Sequence, residues 1–181
     1  CISNFQGFSQ QVREVCKPLF ASYNVNYFRL LRLYNDGRRT ILSSNPEITD
    51  ALYGDGWYKI AWVDKQYPLL NRDIIIWKME TLNSDNPNNE VNILLRRSSI
   101  CEGYLFINKF SGYYECYDIA SPSMEIYAVD INILRHFCWY FRSKMANILR
   151  DLEQCSLILP FVPITKSINK NVNNEEFLLQ T

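Results

Sequence analysis

The strongest periodic pattern in the chain is an apolar stripe between residues 126 and 155. Apolar side chains recur there at steps of three and four residues, which is the spacing of one face of an amphipathic helix. Its members are Leu134, Phe137, Cys138, Phe141, Met145, Ile148, Leu149 and Leu152. The pattern predicts one long helix that packs its apolar face on the rest of the domain.

A second stripe, in residues 9–22, predicts the first helix of the chain. Pro18 falls late in this stripe, and proline lacks the N–H that a helical hydrogen bond needs. We therefore expect the helix to kink or break near Lys17. A short helix is predicted after Asn45, a good N-cap residue that is followed by Pro46 at the first helical position. The segment "NEVNILLRRSS" predicts a further helix, and "DIIIWKM" a buried strand.

Two segments have the composition and turn residues of β-hairpins. The first, "NVNYFRLLRLYNDGRRTIL", turns at Asn35-Asp36-Gly37. The second, residues 103–120, turns at Ser111-Gly112, and this two-residue loop pairs Phe110 with Tyr113 and Phe106 with Tyr117. Both faces of the second hairpin hold enough apolar surface to be covered, as in a sheet with helices on two sides.

The order of these elements is helix, hairpin, helix, irregular middle, helix, hairpin and long helix. It predicts an α+β domain in which a PAS-like central antiparallel sheet is flanked by helices. We place this domain at residues 1–163. The remaining segment, 164–181, is polar and poor in aromatic residues, which is typical of a linker or tail.

Composition and charge narrow the classes of function. Lys and Arg number 19, as do Asp and Glu, so the chain lacks the basic excess that a nucleic-acid-binding domain needs. The six cysteines show no C-x-x-C spacing, which favours free thiols in a reducing cytoplasm. No apolar run is long enough to span a membrane. His136 is the only histidine, and no phosphate loop or paired-carboxylate motif is present, so we expect neither an enzyme nor a metal or cofactor site.

Three segments together resemble the N-terminal sensor domain of LuxR-type transcription regulators, in its PAS-like form. They are "VCKPLFASYNVNYFRLLRLYNDGRRTILSSNPE", "SSICEGYLFINKFSGYYECYDIAS" and "INILRHFCWYFRSKMANIL". The resemblance covers about residues 12–155 as an order of elements. It implies a cytoplasmic domain that senses a small molecule. It also implies that DNA is bound only by a C-terminal helix-turn-helix, which these residues do not contain.

Part of the family's ligand signature is missing. Acyl-homoserine-lactone receptors of this family carry a Trp, a Tyr four residues later, an Asp-Pro pair and a second Trp. Here Ala61 stands four residues after Trp57, and neither Asp64 nor Asp73 precedes a proline. Trp77 can stand as the second tryptophan. The resemblance therefore leaves the identity of the ligand open.

The aromatic residues are the candidates for a ligand pocket, because such pockets are mostly apolar with a few polar groups. We expect Tyr104, Phe106 and Tyr117 to share one sheet face, with Trp57 and Trp77 nearby. Arg29 and Asp73 would be the polar anchors. The full predicted set is Tyr27, Arg29, Trp57, Tyr58, Trp62, Asp73, Trp77, Tyr104, Phe106 and Tyr117.

Two alternatives stay open from sequence alone. The first is the ligand pocket described above; in the second, the aromatic rings fill an ordinary core and the chain is a ligand-free protein–protein interaction or dimerisation module. In either case the long helix places Arg135, Trp139 and Arg142 roughly opposite its apolar stripe. Tryptophan is enriched at the energetic centres of interfaces, so we expect a homodimer with this helix at or near the contact.

The charge balance generates a first prediction. Because basic and acidic residues number 19 each, this chain does not retard duplex DNA in a gel-shift assay at physiological salt. Binding at micromolar protein that weakens steeply with added salt is the signature of phosphate neutralisation, and its observation would contradict the assignment of DNA contact to another domain.

Overall fold

A computed structural model of the chain describes residues 7–51, 72–78, 90–155 and 157–158. Its strands are β1 (Tyr27–Tyr34), β2 (Arg38–Ser43), β3 (Ile74–Lys78), β4 (Glu102–Phe110), β5 (Tyr113–Ser121) and β6 (Leu157–Ile158). Its helices are α1 (Ser9–Ser22), α2 (Pro46–Thr49), α3 (Glu90–Arg97), α4 (Ile131–Lys144) and α5 (Ala146–Gln154), with a 3-10 helix at Met124–Ala128. The predicted α+β class is confirmed. The predicted domain boundary at residue 163 lies outside the described residues.

The described strands form one six-stranded sheet in the order β3-β4-β5-β1-β2-β6. All neighbouring strands are antiparallel. The two predicted hairpins are β1–β2 and β4–β5, and the pairing of β1 with β5 joins them into a continuous sheet. The second hairpin has the predicted register, in which Phe110 lies opposite Tyr113 and Phe106 opposite Tyr117.

The local signals for turns and caps are confirmed. Gly37 and Gly112 have φ angles of +87° and +94°, which glycine adopts without the strain that a Cβ atom causes. The Asn45 side-chain oxygen accepts hydrogen bonds from the backbone N–H groups of Glu47 and Ile48, at 3.0 and 3.3 Å. It therefore caps α2, and Pro46 occupies the first turn as predicted.

Of the predicted kink or break near Lys17, the break is wrong, because α1 continues through Pro18 to Ser22. Proline at this position removes one backbone hydrogen bond close to the end of the helix. Cys16 and Leu19, on either side of it, are buried in the core. Their packing holds the last turn in place despite the lost bond.

The single long helix predicted over 126–155 is also wrong. The 3-10 helix comes first, then α4 begins after Asp130, whose side chain accepts from Asn132 N–H at 2.8 Å. α4 ends at Lys144 and α5 begins at Ala146, with the buried Met145 between them. The apolar stripe passes through this junction without interruption, so its period alone does not reveal that the segment is two helices.

The two faces of the sheet are both buried but differ in their neighbours. We call "helix face" the side that bears Phe28, Leu30, Arg32 and Tyr34 of β1, because the Phe28 ring contacts the rings of Phe137 and Phe141 in α4 at centroid distances of 5.5 and 4.3 Å. We call "far face" the opposite side, whose buried apolar members include Leu31, Ile41, Leu105 and Ile107.

Helix α1 lies against α4 and β2, and α5 lies against β2. Of the helices in the described ranges, none combines the length and the apolar character needed to cross a bilayer.

Candidate functional site

The far face carries a group of buried polar side chains among its apolar residues. Arg29 donates to Asp118 across a Nη2–Oδ2 distance of 3.1 Å. The Trp77 indole Nε1–H donates to the other carboxylate oxygen of Asp118, at 2.9 Å. Tyr27 and Ser43 are buried on the same face beside them. We call these five residues the Asp118 cluster.

Strand register explains why these residues meet. Arg29 of β1 lies directly opposite Asp118 of β5 and opposite Ser43 of β2. Residues directly opposite each other in an antiparallel pair project from the same face. Three neighbouring strands therefore bring a cation, an anion and a hydroxyl group to one point on the sheet.

Trp77 reaches the cluster from β3 by crossing a whole strand. The residue opposite Trp77 on β4 is Gly103, which has no side chain. A Cβ atom built at Gly103 would lie only 2.9 Å from a carbon of the Trp77 ring and closer still to the Ile119 carbonyl oxygen. The indole therefore lies over the backbone of β4, and its N–H reaches Asp118 on β5.

Burial sets the protonation states in this cluster. Desolvation raises the pKa of the Asp118 carboxyl, whereas the charge of Arg29 and the hydrogen bonds from Trp77 and Arg29 act in the opposite direction. Desolvation also raises the pKa of Tyr27 to about 12, with Arg29 lowering it and Asp118 raising it. Tyr27 is thus a neutral phenol at physiological pH, and its hydroxyl is hydrogen-bonded to Ser43.

The Asp118 cluster has the composition of a small-molecule site. A few polar groups converge within an apolar surround that includes Leu31, Ile41 and Leu105, which is the composition of small-molecule sites. Within the described ranges no three His, Cys, Asp or Glu side chains come together in a way that would hold a metal ion.

The structure brings together three of the ten predicted site residues, namely Tyr27, Arg29 and Trp77. Asp73 does not join them, because it lies exposed just before β3. Its backbone carbonyl accepts a hydrogen bond from Ile107 N–H at 2.8 Å. The remaining candidates of the middle segment, Trp57, Tyr58 and Trp62, lie outside the described residues.

Tyr104, Phe106 and Tyr117 project from the helix face, on the other side of the sheet from Trp77. The expectation that Trp77 lies near these rings is therefore wrong. The reason is the β3–β4 register, in which Ile76 lies opposite Tyr104 and shares its face. Tyr104 packs its ring on Tyr127 of the 3-10 helix, at a centroid distance of 5.6 Å.

A second buried ion pair lies on the helix face. Glu115 is fully buried and accepts hydrogen bonds from Arg32 Nε at 2.8 Å and from the Tyr117 hydroxyl at 2.6 Å. Arg142 of α4 reaches the same carboxylate, with Nε 3.1 Å from Oε2. Arg142 therefore faces the sheet, although the sequence analysis placed it opposite the apolar stripe. Its position directly after Phe141 puts it at the edge of that stripe, so a small rotation turns it inward.

Sequence reasoning missed Asp118, although a signal was present. Arg29 and Arg32 are three residues apart in the apolar strand "YFRLLRLY", and Glu115 and Asp118 are three apart in "YYECYDIAS". Antiparallel pairing of these two strands matches each arginine with one acid. Buried charges are almost always paired, so this reciprocal spacing could have predicted both ion pairs.

The fold has counterparts among solved structures. No protein-family model and no curated protein sequence matches the chain. Among solved structures, the fold is that of LuxR-family autoinducer-binding domains, as the resemblance implied. These neighbours are regulator domains rather than enzymes.

Three of these structures show how far the likeness extends. Escherichia coli SdiA has a TM-score of 0.58 at 12% identity, over 87% of this chain and 67% of that chain. CepR2 from Burkholderia cenocepacia, an N-acylhomoserine lactone dependent LuxR family transcription factor, has a TM-score of 0.53 at 11% identity, over 84% and 96%. The LBD domain of Pseudomonas aeruginosa VqsR has a TM-score of 0.50 at 12% identity, over 81% and 92%.

The position of Phe106 on the helix face generates a second prediction. Its ring is buried and packs beside Tyr104, so Phe106→Ala lowers the free energy of unfolding by about 3–5 kcal/mol, the usual cost of deleting a core ring. Urea unfolding measures this loss. Phe110→Ala, at the half-buried tip of the hairpin, is the control and should cost less. A cost for Phe106→Ala below about 1 kcal/mol would instead mean that the ring lines an empty space.

Proposed function

We propose that this chain is the small-molecule-sensing, dimerising domain of a LuxR-type transcription regulator that acts in the cytoplasm. The segment 164–181 would link it to a helix-turn-helix domain, through which alone the regulator would contact DNA. The observation that carries the proposal is the Asp118 cluster, a buried polar group on an apolar sheet face, within a fold shared with regulator ligand-binding domains.

The ligand would bind against the far face. Tyr27, Arg29 and Trp77 supply polar groups there, and Trp57, Tyr58 and Trp62 would add aromatic contacts. The exposed Asp73 stays outside this site. The rings of Tyr104, Phe106 and Tyr117 contribute from behind the sheet as support rather than as contacts. Because CepR2 depends on an N-acylhomoserine lactone, such lactones are the first ligands to test.

The proposed mechanism is a shift between populations of conformers. A ligand that prefers one arrangement of the sheet and helices raises the population of that arrangement. The same preference would favour one geometry of α4, α5 and the linker, and hence of the DNA-binding domains. The coupling is reciprocal, so that DNA binding would also strengthen ligand binding.

A second candidate function is favoured by a specific observation. Both oxygens of Asp118 and the indole N–H of Trp77 are already satisfied within the chain. The far face therefore does not need a ligand's polar groups in order to fold, since its buried charge is paired internally. The chain would then be a ligand-free dimerisation or interaction module with the same fold.

Ligand-dependent stability separates these two candidates. Thermal unfolding is measured with N-acylhomoserine lactones of short, medium and long acyl chains, and with an organic extract of the source culture. A ligand at a hundredfold excess over its dissociation constant stabilises the wild type by ~2.7 kcal/mol. Trp77→Phe removes the indole donor at the site and reduces that gain, whereas Trp139→Phe makes the same change on exposed α4 and keeps it.

The absence of any shift with every lactone and with the extract would remove the sensing proposal. The ligand-free module would then be the remaining function. A shift that Trp77→Phe and Trp139→Phe reduce equally would keep sensing but place the ligand away from the Asp118 cluster.

The proposed dimer uses the exposed face of α4. Three large apolar side chains lie exposed on this helix, namely Ile133, Trp139 and Tyr140. Arg135 is exposed on the same helix, whereas Arg142 is engaged with Glu115 and contributes to the surface only in part. Exposed aromatic groups of this size mark interaction sites on soluble domains.

Replacement of Trp139 and Tyr140 by serine tests this surface. We expect sedimentation of a dimer at tens of micromolar for the wild type. Loss of a hot-spot side chain costs about 2 kcal/mol or more, so the double variant should weaken the dimer at least about 30-fold. Ile93→Ser on α3 is the matched control, since Ile93 is 46% exposed and Trp139 45%. A wild-type monomer at these concentrations, or equal effects of both variants, would contradict an α4 dimer.

A further inference from the structure

The two central strands carry one buried ion pair on each face of the sheet. Arg29 of β1 lies opposite Asp118 of β5, and Arg32 lies opposite Glu115 three residues further along. Side chains alternate between faces along a strand, so a spacing of three places the two pairs on opposite faces. The far-face pair belongs to the Asp118 cluster, and the helix-face pair lies beneath α4.

Glu115 connects the sheet to α4. It is completely buried and is held by Arg32 and by the Tyr117 hydroxyl within the sheet. Arg142 adds a contact from α4 to both carboxylate oxygens, at 3.2 and 3.1 Å. Arg142 also donates from Nη2 to the Tyr113 hydroxyl, at 3.3 Å. An ionic contact thus fixes α4 on the same strand that carries Asp118.

The covalent continuity of β5 links the two acids mechanically. A strand rises about 3.4 Å per residue, so the two carboxylates are anchored about 10 Å apart along a single extended backbone. Any displacement of Asp118 along the strand moves Glu115 in the same direction. Arg142 must then move with Glu115 or lose its contact. Movement of Arg142 is favoured, because leaving a buried carboxylate without its cation is strongly destabilising.

We propose that the Glu115–Arg142 contact couples the Asp118 cluster to α4, and that Arg142 is the positioning residue of this coupling. The coupling gives the sensing domain a physical route from the far face to the helix of the proposed dimer. Its role as a ligand signal rests on the proposed function. The coupling itself is a property of this chain and exists without a ligand.

The indole N–H signal of Trp77 in an amide-proton NMR spectrum reports the state of the Asp118 cluster from the far face. The chain has four tryptophans, and the signal of Trp77 is assigned as the one lost in Trp77→Phe. Arg142→Gln should shift this signal upfield, because movement of β5 lengthens the hydrogen bond to Asp118. Arg135→Gln removes the same charge from an exposed site on α4 and should leave the signal unchanged.

A role of Arg142 confined to helix packing would not move a signal on the opposite face of the sheet. A Trp77 signal that stays in place in Arg142→Gln, with a dispersed spectrum of a folded protein, overturns the proposal. If Arg142→Gln does not fold, Arg142→Lys replaces it. Lysine keeps the charge but lacks the planar fork, so the proposal expects a smaller shift in the same direction, and no shift overturns it.

The reciprocal experiment begins on the far face. Asp118→Asn removes the negative charge of the cluster and should speed amide hydrogen exchange in residues 131–144, whereas Ile41→Val, an uncharged change on the same face, should not. Equal exchange of α4 in both variants contradicts the coupling. None of these measurements uses a ligand, so a chain that binds no lactone can still show coupling, and a chain that binds one can lack it.

Discussion

The pairing of β1 with β5 is the interaction on which the rest of the structure depends. It is the only contact in the described sheet that joins the first hairpin to the second, and the two buried ion pairs fix its register. A slip by one residue would exchange the two faces of a strand. A slip by two would keep the faces but separate each arginine from its acid, and breaking a buried pair costs about 3–5 kcal/mol. The two ion pairs therefore select one register of β1 with β5, whereas the apolar residues alone would also allow a register shifted by two residues.

The same register determines what each face of the sheet can do. On the helix face, Glu115 binds the Arg142 guanidinium and so attaches α4 to the sheet. On the far face, Asp118 gathers a cation, an indole and the neighbouring hydroxyl groups into an apolar setting. One strand thus carries a structural acid and a candidate binding acid, separated by three residues and by the thickness of the sheet.

The parts of the fold that could be predicted from sequence are those encoded locally. The turns at Gly37 and Gly112, the cap at Asn45 and the register of β4 with β5 all follow from residues close together in the chain. The face of Trp77 could not be predicted, because it depends on how β3 aligns with β4 after a long connection. The junction at Met145 was hidden since the apolar period continues across it. Of the ten predicted site residues, Tyr27, Arg29 and Trp77 lie together on the far face, but Asp118, the residue that joins them, was not among the ten.

At Gly103 the choice of residue is restricted by the space available rather than by any chemical role of the side chain. Gly37 and Gly112 have open space where a side chain would be, so a substitution there meets only the strain of a positive φ angle, which Asn and Asp tolerate better than other residues. Gly103 has no positive φ angle, yet it must lack a side chain because the Trp77 indole occupies the space above its Cα atom. A saturation library would therefore accept Asn or Asp at the two turns more readily than any side chain at position 103. The least conspicuous position of the strand would be its most restricted one.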